Sequence, residues 1–98
     1  MKEIVFPTRV VNCRRAPYDV YIGRGSKWGN PWTHLPLAGT LAEYQVATRE
    51  DAIDAFERYL LDSELIHDLH ELQGQVLGCY CKPKSCHGDI LARLANQL

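Results

Sequence analysis

The stretch that most constrains the fold is Gln75-Val76-Leu77-Gly78-Cys79-Tyr80-Cys81, followed by Lys82-Pro83-Lys84-Ser85 and then by Ile90, Leu91, Leu94 and Leu98 at helical spacing. It reads as a short strand, a Pro-bearing loop and a closing helix over about 86–97, with Ser85 as candidate N-cap. A strand feeding directly into a helix calls for a sheet with helices packed on it, which is the α/β class.

The rest of the chain supplies partners for that unit. Residues 6–14 and 19–24 are rich in β-branched and aromatic side chains and flank Arg15-Ala16-Pro17-Tyr18, so they predict two strands joined as a β-hairpin. Thr48-Arg49-Glu50-Asp51 approximates a capping box, and Ala52, Ile53, Phe56, Tyr59 and Leu60 continue at helical spacing, giving a helix over about 49–61. Asp62-Ser63 restarts a second helix with Leu65, Ile66, Leu69 and Leu72 on its apolar face and Gly74 as its stop. The region of Val46 offers one further short strand. At 98 residues the chain can build one core and not two, without needing a metal or disulfide. The expectation is a compact single α/β domain over 1–98: a small mixed sheet, hairpin plus later strand, packed by three helices and Rossmann-like at the C-terminal strand-loop-helix.

Apolar stretches such as Ile4-Val5-Phe6 fall far short of the roughly 20 residues that span a bilayer, and the N-terminus lacks the pattern of a secretory leader. A cytoplasmic, reducing location follows as the expectation, so the four cysteines read as thiols, metal ligands or reactive groups instead of disulfides. Net charge is −1, unevenly spread: residues 1–34, Lys2 and Glu3 included, carry +4, residues 35–74 carry −7 and residues 75–98 carry +2. If the two basic ends meet they form a site for an anion, leaving the acidic middle as a solvated exterior. A long nucleic acid is possible but not favoured, since no unopposed basic stripe exists. A homodimer sharing the pocket is open to so small a chain, and no membrane partner or cofactor is expected.

Two segments carry chemistry. In Cys79-Tyr80-Cys81-Lys82-Pro83-Lys84-Ser85-Cys86-His87-Gly88-Asp89, the strand's alternation puts Cys79 and Cys81 on one face, while Cys86 and His87 fall in the first turn of the closing helix. There the free N–H groups and the dipole favour an anion or a thiolate. Three readings compete. Cys79, Cys81, Cys86 and His87, with Cys13 in reserve, are the ligand types of a zinc-stabilised interaction module, although the spacing is not that of zinc knuckles. Cys81 or Cys86 could instead be a nucleophile, with His87 transferring protons. In the third reading the helix start receives a phosphate or carboxylate, Gly88 allows close approach, and His87 and Asp89 read the ligand. Cys79, in mid-strand, also reads simply as a small buried hydrophobe.

The second segment, Tyr21 to Trp32, holds Gly23, Arg24, Gly25, Ser26, Lys27, Trp28, Gly29 and Asn30. Arg24 and Lys27 can clamp anionic oxygens, and Trp28 offers a face for a base, or else pins the loop by burying its indole. Asn30 before Pro31 either contacts the ligand or shapes a turn. Converging, the two loops would form a basic pocket for a small anionic, nucleotide-like ligand, either as an enzyme or as a sequestering protein.

The two motifs together, Y-I-G-R-x-x-x-W-G-N-P at 21–31 and C-x-C-x-P-x-x-C-H-G-D at 79–89, resemble the uncharacterised family "domain of unknown function 4326", frequent in bacteria and phages. Thr48-Arg49-Glu50 and the aromatic, Leu-containing stretch from Phe56 to Leu61 match its intervening helix. Cys86-His87 at a helix start is also similar to a Cys-His-Arg signature of another uncharacterised family with a Rossmann-like core, with Gly88 in place of the Arg. The resemblance implies an α/β fold, a candidate site, and a setting in nucleotide metabolism, nucleic-acid modification or signalling, while leaving the reaction open.

Overall fold

A computed structural model of the chain describes residues 6–98; Lys2, Glu3 and the N-terminal stretch considered for a leader lie outside them. The element order is β1 (Arg9–Asn12), β2 (Val20–Tyr21), β3 (Trp32–Thr33), β4 (Tyr44–Gln45), α1 (Arg49–Asp62), a 3₁₀ helix (Glu64–Leu72), β5 (Val76–Cys79) and α2 (His87–Asn96). These strands and three helices make a small α/β fold.

Strand β5 lies at the centre of the main sheet, between β1 and β2. Its Leu77, Gly78 and Cys79 are all buried, as a strand covered on both faces requires. Both neighbours run parallel to it, Arg9 opposite Val76 through Asn12 opposite Cys79 on one side, and Val20 and Tyr21 opposite Leu77 and Gly78 on the other. The expected hairpin is therefore corrected. Residues 13–19 do turn, but they carry the chain across β5 instead of folding β2 back onto β1. Parallel neighbours need such a crossover. Gly78 makes room for it, because a Cβ there would stand 2.6 Å from Cγ of Tyr18, whose ring rides over the strand. Asp19 fixes the landing: its N–H donates to the Val76 carbonyl at 2.8 Å and its Oδ2 accepts from the Val76 N–H at 2.8 Å.

A second parallel pair joins β3 and β4, extended by the Val46 N–H donating to the Thr33 carbonyl at 2.8 Å, where the additional strand was expected. Thr48 caps α1, its Oγ1 accepting from the Asp51 N–H at 3.0 Å, and Ala52, Phe56 and Leu60 form the buried stripe. The following segment differs from the expected α-helix: it is 3₁₀ over nine residues. Ile66, Leu69 and Leu72 are spaced by three, and a three-residue turn aligns them along one edge against the core. Gly74, at φ +73°, ends it as predicted.

The N-cap of α2 is Cys86, one residue beyond the predicted Ser85. Its N–H donates to Asp89 Oδ2 at 3.1 Å. Gly88, Leu91 and Ala95 face the sheet, with Leu91 fully buried beside Ile22, Phe56, Leu60 and Leu77. Among the described residues no helix is long and apolar enough to cross a membrane.

Candidate functional site

The carboxyl ends of β2 and β5 open into a cleft of about 400 Å³. In open α/β sheets this is the edge at which ligands bind. One wall is Gly23, Arg24 and Asn30 from the loop after β2, continued by Trp32 and Thr33 of β3. Opposite stand Cys79, Tyr80 and Cys81 at the end of β5, with Ser85, Cys86 and His87 where α2 begins. Arg49, Ala52 and Ile53 of α1 close the floor, and residues of the 34–41 connection edge the mouth. The two motifs are thus neighbours around one hollow.

Its polarity is one-sided. Two guanidiniums, Arg24 and Arg49, line the cleft, and no Asp or Glu does. Arg24 is half-buried, with Nε donating to the Asn30 carbonyl at 3.1 Å and Nη2 to the Trp32 carbonyl at 3.0 Å. Arg49 Nη1 donates to the Ser85 carbonyl at 3.3 Å. Carbonyl partners orient a guanidinium without cancelling its charge. Among the described residues neither arginine has a carboxylate within ion-pair distance.

The thiols gather on the β5–α2 wall. Sγ of Cys79 and Sγ of Cys86 are 3.2 Å apart, both buried, while Cys81 is half-buried and faces the cleft. The neighbouring Cys79 and Cys86 thiols hold the Cys81 sulfur below the usual thiol range, with Arg49 adding to the effect. The other two move the opposite way: Cys79 is pushed up chiefly by the neighbouring Cys81, and Cys86 by Cys79 and Cys81. Cys13 lies apart from the cleft, its N–H donating to the Cys79 carbonyl at 2.9 Å. Among the described residues no group of three or more His, Cys, Asp or Glu is arranged to hold a metal ion.

His87 is buried, and its Nε2 lies 2.7 Å from the Ile22 carbonyl. A carbonyl only accepts, so Nε2 carries the proton and Nδ1 does not. Burial pushes the imidazole below its ordinary 6.5, the Ile22 carbonyl opposing the shift, and the ring of Phe56 stands edge-on at 4.9 Å. The imidazole pins the start of α2 to the end of β2, which takes Nε2 away from the proton-transfer assignment.

Several other predicted residues have partners of their own. Lys27 turns outward to Asp68 at 3.2 Å and Glu71 at 2.9 Å, because the acidic 3₁₀ helix passes beside it. Trp28 is 3% exposed and belongs to the core, so its indole pins the loop and offers no face for stacking. Asn30 is buried, its Nδ2 donating to the Ala52 carbonyl at 3.0 Å and its Oδ1 accepting from the Trp32 N–H at 2.9 Å. It braces the cleft from behind. Asp89 caps its own helix and pairs with Lys82, leaving neither oxygen free. Gly88 serves packing: a Cβ there would meet Ile22 Cδ1 at 2.6 Å and Val10 Cγ1 at 3.0 Å.

The cleft residues that sequence reasoning missed are Arg49 and Tyr21. Arg49 carried a signal: a cation in the first turn of a helix opposes the macrodipole, and a position that works against its own helix invites another explanation. Tyr21 precedes the glycine-rich loop and was indistinguishable from a strand-forming aromatic.

The family profile described as "Domain of unknown function (DUF4326)" matches residues 8–97. An uncharacterised 12.4 kDa protein from the nrdA-td intergenic region of Enterobacteria phage T4 is 39% identical over 95 residues, which cover 92% of this chain and 79% of that protein. An uncharacterised protein of Acanthamoeba polyphaga mimivirus is 33% identical over 103 residues, covering 87% of this chain and 68% of that protein. No solved structure matches the chain significantly.

Proposed function

The chain belongs to the DUF4326 family, and on that premise we propose that it binds a small anionic, nucleotide-like ligand in the cleft between the loop after β2 and the start of α2. The observation that supports this most directly is the pair of guanidiniums, Arg24 and Arg49, facing one cleft without a carboxylate in its lining. A partly desolvated cation is costly unless an opposite charge joins it, and a phosphate or carboxylate meets a guanidinium in a bidentate fork. The aromatic rings of Tyr21 and Trp32 give the same cleft flat apolar surface for a base. A volume of about 400 Å³ suits a nucleotide-sized molecule. Sequestration needs nothing more than this; an enzyme would use the same cleft and add a reacting group.

Thermal-shift titration with inorganic phosphate and nucleoside monophosphates tests the reading. Stabilisation that grows with concentration is expected for the wild type. Arg49→Gln should weaken the affinity roughly ten- to hundredfold, the loss of a charge-assisted hydrogen bond worth about 1.5–3 kcal/mol. Arg49 opens α1 against the dipole, so its removal leaves the helix intact or slightly steadier. Lost binding then reports on the cleft. Equal stabilisation of wild type and Arg49→Gln by every probe, or of neither by any, refutes the proposal. Recovering the nucleotide unchanged after long incubation marks a binder, and a product marks an enzyme.

A further inference from the structure

Beyond holding an anion, we propose that the β5–α2 wall is a thiol–disulfide exchange site, in which Cys81 attacks a small disulfide in the cleft and Cys86 resolves the adduct. Three of the four cysteines converge on this wall, from two elements that the fold brings together. Their exposures differ in the way the two steps require: Cys81 is half-buried and open to the cleft, while Cys86 is 3% exposed behind it. The 3.2 Å between Cys79 and Cys86 shows that the α2 thiol reaches the end of β5, two residues before Cys81 on the same wall. Arg49 beside Cys81 steadies its anionic form, which is the attacking species in exchange.

The chemistry balances within named groups. The Cys81 thiolate forms a bond to one substrate sulfur; the substrate S–S bond breaks, and the other sulfur leaves with the electron pair and takes a proton from water. Cys86 then gives its proton to solvent and attacks Cys81 Sγ, expelling the second substrate thiolate and leaving a Cys81–Cys86 disulfide. The substrate gains two electrons and the protein loses two, which a dithiol reductant restores. The preference for anionic disulfides rests on the binding role of Arg24 and Arg49 given above; the exchange itself does not.

The full-length chain is incubated with oxidised glutathione, which is anionic, or with hydroxyethyl disulfide, which is neutral, and its cysteines are followed by peptide mass spectrometry. In Cys86→Ser, Cys81 should accumulate the mixed disulfide about tenfold faster than Cys13, an internal control outside the cleft. In the wild type the same reagent should instead leave a Cys81–Cys86 cross-link with two hydrogens lost, a readout that needs no variant to fold. Arg49→Gln should slow the glutathione reaction more than the neutral one. Adduct on Cys13 as fast as on Cys81, or no Cys81–Cys86 cross-link in the wild type, overturns the exchange site. Rapid reaction of Cys81 with both reagents and no charge preference keeps the exchange site and overturns the anion-binding reading.

Discussion

At the scale of single residues, what a side chain does here is decided by the partner that the fold delivers to it. Gly88 illustrates the point. Sequence reasoning gave it to the ligand, but the atoms that need its missing Cβ are Ile22 Cδ1 at 2.6 Å and Val10 Cγ1 at 3.0 Å, both in the packing of α2 on the sheet. Ile22 is fully buried and has nowhere to retreat. Gly88→Ala should therefore lower stability by about 1–3 kcal/mol through overpacking, read as an earlier midpoint in urea. The types of Arg24, Lys27, Trp28 and Asp89 were legible as belonging to chemically rich segments. The assignments of Lys27, Trp28 and Asp89 were not: Lys27 answers to acids on the 3₁₀ helix, Trp28 to the core, and Asp89 to the N–H of Cys86, surroundings that only the assembled molecule defines.

Elements were legible wherever a local rule governs them. The Thr48 cap starts α1 where predicted, and Gly74 stops the 3₁₀ helix. Removing that cap in Thr48→Ala should cost about 1 kcal/mol in equilibrium denaturation, because the Asp51 N–H loses its acceptor. The same change frees the first turn that holds Arg49, so affinity for inorganic phosphate should fall with it. Strand partnership was illegible for a physical reason. Pro17 and Asp19 announce a turn, yet turn chemistry says nothing of which strand lies next to which. β1 and β2 each find β5, more than fifty residues downstream of both, and nothing local marks that choice. The three-residue spacing of Ile66, Leu69 and Leu72 did mark the 3₁₀ segment, and was absorbed into an α-helical reading because a helix of either kind tolerates it.

For the whole molecule, the uneven charge along the chain anticipated acids on the outside but not the source of the cleft's cations, since Arg49 comes from the acidic middle and none of Lys82, Lys84 and Arg93 lines the cleft. Glu50, Asp51, Asp54 and Asp62 of α1 are exposed, while Arg24 and Arg49 line the cleft. The convergence of the two motifs follows from β2 and β5 running side by side and ending together. The contact that ties this edge is His87 on the Ile22 carbonyl, and it makes the fold sensitive to acid. Burial depresses the His87 pKa, so below the ordinary 6.5 an unfolded chain takes up a proton that the native ring refuses. That contribution to stability is present above 6.5 and is lost as pH falls toward the depressed folded-state value. His87→Gln should flatten the decline in melting temperature between about pH 7 and about pH 5; an unchanged slope would place the acid sensitivity elsewhere.

The central position of β5 has a consequence for how this polypeptide comes into being. A ribosome releases both outer strands long before the one that joins them, so during most of translation their backbone amides and carbonyls have no sheet to enter. The nascent chain must wait with its edges open until Val76–Cys79 threads between them, and the cleft is born in that same late event.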